Sequence, residues 1–444
     1  MSTDPRETLS GAPMSALQIT AVAVTVGLTA LDGFDVLSIS FAAPGIAAEW
    51  GIDRAALGVV LSMELFGMAL GALTLGAMAD RIGRRPTMLA CLVLMTIGMF
   101  MVTGVRQLAG LEIWRFTTGL GIGGLLATAN AVAAEFSNLR RRSLSVALMA
   151  VGYPIGAVVG GSVVKVLLHD HDWRAVFYLG ASVTVIFIPV VLSVVPESVH
   201  WLARQQPANA LQRINRALTR MGHAAIEVLP QVPAQVRKHA VADLFSPALR
   251  LTTILCALAC FFHMMTFYFI LKWIPKIVAD MHFPATAAAG VLVWANVGGA
   301  TGGAVLGVLS QRMGLKPLTL GVMLLSTVMV ILFGHASANL NELSVLCAAA
   351  GFFTNGGIVG LYAIYAQAFP THVRATGTGV SIGLGRGGAA LGPIAAGYLF
   401  TWGYSLPSVA TFIAFGSLLA AAVLALLPLN AQSPSITLLR SANN

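Results

Sequence analysis

The chain has 444 residues, 57% of them hydrophobic and only 10% charged, where a soluble domain carries roughly 25% charged residues. With a mean hydropathy of +0.83, that composition excludes a soluble globular protein. It predicts an all-α integral membrane protein, because helices satisfy their own backbone hydrogen bonds in lipid.

The first dozen residues are polar, carry Asp4 and Glu7, and lack the basic start and cleavage site of a signal peptide. Apolar spans follow at roughly 17–44, 55–78, 86–105, 111–134, 144–167 and 175–195. Each is close to or above the roughly 20 residues needed to cross a bilayer. The polar stretch Glu197–Ser246 interrupts them and carries Arg204, Arg213, Arg216, Arg220, Arg237 and Lys238. The spans resume at roughly 249–277, 287–309, 318–335, 342–366, 375–401 and 406–429. The pattern predicts about 12 transmembrane helices in two pseudo-symmetric six-helix bundles. Residues 1–196 form the first bundle, 197–247 a cytoplasmic linker with some helix, and 248–444 the second bundle.

Basic residues set the orientation. Arg81, Arg84 and Arg85, then Arg140, Arg141 and Arg142, the linker, Arg312 and Lys316, and Arg374 all fall in loops on one side. The opposite loops mix signs, as in Glu49, Asp53 and Arg54 or Lys165, Asp170, Asp172 and Arg174. Both termini are therefore expected in the cytoplasm. The net charge of +9 belongs to these loops, so no nucleic-acid partner is expected. The partner is the lipid bilayer, and the chain is expected to act as a monomer. Cys91, Cys256, Cys260 and Cys347 all lie in apolar spans at spacings that match no ligand motif. They read as small packing residues, with no metal and no disulfide.

Asp32-Gly33-Phe34-Asp35 stands inside the first span. A carboxylate in hydrocarbon costs several kcal/mol even on the mildest scales, roughly 2.5–3.5. Residues three apart share a helix face, so the pair is expected to face a cavity and to carry a moving proton. Alternatively, one acid caps a helix break at Gly33 while its partner titrates. Glu64 lies about 13 Å into the second span by helix rise, a cavity-facing candidate or a protonated carboxyl bonded to a neighbouring helix. Arg386 falls near the bilayer centre with glycines on both sides. Its planar fork suits a substrate carboxylate; the alternative is a salt bridge to Asp32 or Asp35.

Weaker candidates surround these. Asn130, Asn296 and Asn355 can bond a ligand or join helices. Tyr153, Tyr362, Tyr365, Phe267 and Tyr268 can stack on a ring or simply pack. His263 can carry a proton or sit satisfied in the core. Lys272 and Lys276 are expected among headgroups at the outer end of the seventh span. No nucleophile, metal or nucleotide motif supports an enzyme.

The halves repeat. Gly76-Ala-Met-Ala-Asp80-Arg81-Ile-Gly83-Arg84-Arg85-Pro86 is echoed by Gly307-Val-Leu-Ser-Gln311-Arg312-Met-Gly314-Leu-Lys316-Pro317, each after the second span of its half. Gly152-Tyr153-Pro154-Ile155-Gly156 pairs likewise with Gly385-Arg386-Gly387-Gly388-Ala389. Such a repeat places a ligand at the midplane between halves. Gly76 to Arg85 resembles the G-x-x-x-D-R-x-G-R-R signature of the major facilitator superfamily. Leu31-Asp32-Gly33-Phe34-Asp35, Glu49-Trp50-Gly51-Ile52-Asp53-Arg54, Arg115 to Gly123, Phe369 to Gly377 and Gly383 to Gly387 resemble its aromatic acid:proton symporter family.

That resemblance implies proton-coupled uptake of aromatic or related organic carboxylates by alternating access, across a bacterial inner membrane. The proton is the coupling ion and no cofactor is required. Asp32, Asp35 and Glu64 are then the proton-coupling candidates, and Glu64 itself departs from the family pattern. Arg386, Arg115, Asn130, Tyr153 and Tyr362 are the substrate candidates. Arg115 fits the family's R-x-x-x-G-x-G pattern; as alternatives it relays protons, partners Asp35 or snorkels to the interface. Gly76, Asp80, Arg81, Gly83, Arg84 and Arg85 form a gating latch, joined on the family pattern by Glu135. Asp80 is expected to reach Arg81 or Arg84 and a helix of the other half. A glycine-rich fifth span holding Pro154 partly fits an alternative, a proton antiporter exporting drugs or metabolites.

Overall fold

A computed structural model describes residues 4–230, 241–370 and 373–428; Arg237, Lys238, Thr371 and His372 lie outside them. Among the described residues the structure is all helical. A short α1 (Pro5–Gly11) precedes six long helices, α2 (Ala16–Trp50), α3 (Arg54–Ile82), α4 (Arg84–Thr103), α5 (Leu108–Glu135), α6 (Arg142–Asp170) and α7 (Arg174–Val194). The linker contributes α8 (Val199–Gln205) and α9 (Ala210–Arg220). Six more long helices follow: α10 (Arg250–Asp280), α11 (Ala285–Leu309), α12 (Leu315–Gly334), α13 (Leu340–Ala368), α14 (Arg374–Thr401) and α15 (Leu406–Ala425).

Eleven of these helices are long and apolar enough to cross a membrane. The twelfth long helix, α14, has 28 residues but carries Arg386 and a run of glycines that dilute its hydropathy. Local chemistry sets the ends. Ser15 and Gln18 cap α2 reciprocally, and Gly51 ends it in the left-handed conformation. Asp53 then starts α3 by accepting from the Ala56 amide at 2.7 Å.

The long helices pack as two groups. In the first, α3 packs on α5, α2 on α6, and α4 on α5 and α7. In the second, α11 packs on α13, α10 on α14 and α15, and α12 on α13 and α15. Small residues set the spacing: a Cβ on Gly119 would lie 2.1 Å from the Glu64 carbonyl oxygen, so only glycine lets α5 approach α3 this closely.

The halves meet at the end opposite the basic loops. There Gly58 lies against Pro393 and Gly397. Arg54 pairs with Asp280 at 2.9 Å and stands 5.2 Å from the centre of the Phe400 ring. Val293 of α11 approaches Gly161 of α6. Toward the basic end, Gly379 and Gly383 of α14 have no neighbour where a Cβ would stand. Contact between the halves is therefore concentrated at the far end, and α14 is uncovered at these glycines toward the basic end.

Candidate functional site

Asp32 and Asp35 are buried in the protein interior, at 1% and 0% exposure, rather than turned to lipid. Among the described residues, none offers a hydrogen bond to any of their four carboxyl oxygens. The helix does not break between them: α2 runs through Gly33, so neither acid is a cap. Gly33 instead lets α6 cross, since a Cβ there would lie 2.0 Å from the Tyr153 carbonyl oxygen. That crossing brings Tyr153 beside the acids.

Arg386 faces them from the other half. It is half-buried at mid-helix and, among the described residues, forms no ion pair; the expected alternative of a salt bridge to Asp32 or Asp35 is not made. Its charge acts on Asp32, Tyr153, Tyr268 and Tyr362. The Tyr153 hydroxyl is buried beside Tyr268, its neighbour across the halves. Tyr362 keeps 37% of its surface exposed. One chamber thus holds an unpaired guanidinium, three tyrosines and an acid, drawn from both halves.

A second cluster seals the closed side of this chamber. Glu64, Arg115 and Lys272 are each 0% exposed. Glu64 Oε2 pairs with Arg115 Nη2 and lies 3.3 Å from Lys272 Nζ. Arg115 Nη2 also donates to the Asp35 carbonyl at 3.2 Å, and Lys272 Nζ donates to the Val36 carbonyl. The Arg115 guanidinium lies 5.4 Å from the Phe177 ring centre. Two corrections follow. Lys272 does not face headgroups, because α10 continues to Asp280 and buries it between the halves. Arg115 neither snorkels nor lines the open chamber, because Glu64 holds its guanidinium. Lys276 does stand at the closed end, paired with Asp280.

At the basic end Arg84 organises a latch. Its Nη1 lies 2.7 Å from Asp80 Oδ1 and its Nη2 3.0 Å from Glu135 Oε1. Gly83 makes the turn at φ 113°. Arg81 is exposed, and Arg85 donates to the Leu192 carbonyl. The expected contact of Asp80 with a helix of the other half is not what the fold provides. Trp201 Nε1 and Gln205 Nε2 of α8 donate to the Asp80 carbonyl at 3.0 and 2.9 Å, while the Asp80 side chain stays 60% exposed. Glu197 Oε1 accepts from the Arg84 and Ser198 amides, both at 2.9 Å. Burial pushes the Glu197 carboxyl above its ordinary value, and those amides pull it back. Burial likewise lowers His200 beside this cluster. Arg6 of α1 and Arg204 of α8 complete the lining of a cavity of about 230 Å³ here.

The family model described as Major Facilitator Superfamily matches residues 25–337 and 256–440. The chain belongs to the Major Facilitator Superfamily. It is 30% identical over 422 residues to the gallate transporter of Pseudomonas putida, covering 94% of this chain and 93% of that one. It is 29% identical to the 4-hydroxybenzoate transporter PcaK of Pseudomonas aeruginosa, covering 95% of each. Among solved structures, the inward open conformation of the xylose transporter XylE from E. coli superposes with a TM-score of 0.74 at 16% identity. That match covers 96% of this chain and 99% of the other.

Within this superfamily architecture the weaker candidates sort by their partners. Asn130 is exposed five residues before the end of α5. Asn355 joins helices, donating to the Gly299 carbonyl at 2.7 Å, and Asn296 bonds back to Leu292 within α11. His263 is satisfied in the core by Ser417 at 2.9 Å and the Thr354 carbonyl at 2.8 Å. Tyr365 donates to the Cys256 carbonyl at 3.1 Å, and Phe267 packs edge-on against Tyr268. Glu197 and α8 are the latch members that sequence reasoning missed. Glu197 opens the polar stretch after the sixth span in the sequence, but its contacts are tertiary.

Proposed function

We propose that the protein carries aromatic carboxylates into a bacterial cell across the inner membrane, one proton entering with each anion. The observation that carries this reading is Arg386, an arginine at mid-membrane that forms no ion pair among the described residues. An unpaired guanidinium inside a protein is costly, and a planar carboxylate satisfies it bidentately. Tyrosines beside it suit an aromatic ring and its hydroxyls. Curated relatives of nearly full length, named for gallate, 4-hydroxybenzoate and 3-(3-hydroxy-phenyl)propionate, support the same class.

Coupling follows from the charge inventory. The chamber and its seal hold three acids, Asp32, Asp35 and Glu64, and three cations, Arg115, Lys272 and Arg386. Ionised, they balance. A monoanionic substrate adds one negative charge, and one proton on an acid restores balance in a medium where unbalanced charge is expensive. Asp32 and Asp35, buried with no hydrogen-bond partner among the described residues, are the acids best placed to take it. The basic end is cytoplasmic in this reading, both termini lie there, and the structure then faces inward.

The test is uptake into proteoliposomes of labelled gallate, 4-hydroxybenzoate and 3-(3-hydroxyphenyl)propionate under an inside-alkaline pH gradient. Accumulation above equilibrium is expected for at least one. Absence of accumulation for all three, or expulsion driven by the opposite gradient, would overturn the proposal and favour proton-driven export.

A further inference from the structure

Glu64 and Lys272 come from opposite halves and meet only because the halves are closed at the outer end. Lys272 reaches across from α10 and touches two elements of the first bundle, the Glu64 carboxylate on α3 and the Val36 carbonyl on α2. Arg115 holds the same carboxylate from α5 and the adjacent Asp35 carbonyl. Of the two cations, only Lys272 changes its distance to Glu64 when the halves rock; α3 and α5 belong to one bundle and move together. The other groups that act around Glu64 are Asp32 and Asp35 on α2, Tyr153 on α6 and Tyr268 on α10. None of these groups substitutes for the ammonium at the Glu64 oxygen.

We infer that Lys272 is the positioning residue of the outer gate, and that closure of this gate and a proton on Glu64 exclude one another. With Glu64 ionised, the ammonium ties the halves shut. With Glu64 protonated, the tie loses its charge partner and the outer end parts. Linkage makes the effect reciprocal: as the gate closes, the arriving ammonium drives the proton off Glu64. The proton passes to the carboxylate of Asp32 or Asp35, so no charge is created or lost, and from there it faces the inward chamber. Glu64 is then the outer proton station and the aspartates the inner ones. This inference rests on the proton-coupled reading above and adds the group that orders its steps.

The experiment reads the gate without substrate or gradient. Ala55 lies in the closed seam, where Gly397 packs against it. With the four cysteines Cys91, Cys256, Cys260 and Cys347 replaced by serine, Ala55→Cys is labelled by a maleimide in nanodiscs. Rates are normalised to His171→Cys, an exposed site, which cancels the reagent's own pH dependence. Labelling of the parent should rise as pH falls from about 8 to about 5.5, because a proton on Glu64 releases the tie. Lys272→Met and Glu64→Gln should each raise labelling at the higher pH about tenfold, the equivalent of about 1.4 kcal/mol, and both should flatten its pH dependence. Lys272→Arg, which keeps the tie, should behave as the parent. Unchanged labelling in Lys272→Met, or a pH dependence that survives in Glu64→Gln, overturns the inference. If Lys272→Met does not fold, Glu64→Gln is close in size and carries the same decision. The proposed substrate class is tested separately by uptake, so either reading can fail while the other stands.

Discussion

Replacing Arg386 gives the most direct test of the chamber, because the guanidinium takes part in no ion pair among the described residues. Its removal should therefore read as a lost ligand contact rather than a broken scaffold. Arg386→Lys keeps the charge but loses the fork, leaving one charge-assisted hydrogen bond where two stood. Each such bond contributes about 1.5–3 kcal/mol, so the dissociation constant should rise about 10- to 150-fold. Arg386→Ala leaves the substrate carboxylate buried without a partner, at a cost of about 3–5 kcal/mol, or about 150- to 4000-fold. Binding of labelled 4-hydroxybenzoate to purified protein at one fixed pH is the right assay, since no proton gradient enters it. The amide analogue, which has no carboxylate, should lose little in either variant. Binding by Arg386→Lys within about twofold of the parent, well under a single bond's worth, would show that the guanidinium does not hold the carboxylate.

Asp32→Asn and Asp35→Asn should abolish accumulation driven by a pH gradient while leaving substrate exchange across the membrane intact; accumulation by both variants would remove the aspartates from coupling. Balanced charge predicts electroneutral cycling, so a potassium diffusion potential imposed at constant pH should leave uptake of a monoanion unchanged. At the latch, burial holds the His200 imidazole below its ordinary value of about 6.5. The unfolded chain then binds that proton more tightly, and stability is lost as pH falls below about 6.5. The melting temperature in detergent should drop between about pH 7 and pH 5.5, and His200→Gln should lessen the drop.

Much of this architecture was legible in the sequence because bilayer thickness imposes a length on every span. Count, grouping into halves and the mid-span position of Arg386 follow from that length and the rise per residue. The Asp32–Asp35 pair was legible because an acid in an apolar run has few places to go. What stayed hidden were partners chosen by tertiary packing. Lys272 sat near the end of an apolar run, so depth counted from that run placed it at the interface. In the fold α10 continues to Asp280 and carries Lys272 to Glu64 of another bundle. Each residue looked anomalous alone, and nothing in their separation of 208 positions signalled that they pair. Gly33 read as a break because glycine weakens isolated helices; here it is a contact surface for α6. The latch motif named Asp80 and Arg84 but not α8, because a short linker helix has no membrane-length signature.

In the proposed cycle, the placement of charge lets one conformational change move two solutes. Asp32, Asp35 and Glu64 all belong to the first half, on α2 and α3, whereas Arg386 and Lys272 belong to the second. Rocking the halves therefore alters mainly acid-to-cation distances, and at separations near 4 Å these carry several kcal/mol even at a protein-like effective dielectric. A proton neutralises a charge on one half, and a substrate anion neutralises a charge on the other. Each alone leaves an unmatched ion in the interior, whereas the two together leave none. The half-loaded carrier is then the species that crosses least readily. In the proposed reading, coupling rests on three acids in the first bundle facing Arg386 and Lys272 of the second, with Arg115 held by Glu64 inside the first, and it should be lost if one acid were moved to the second half.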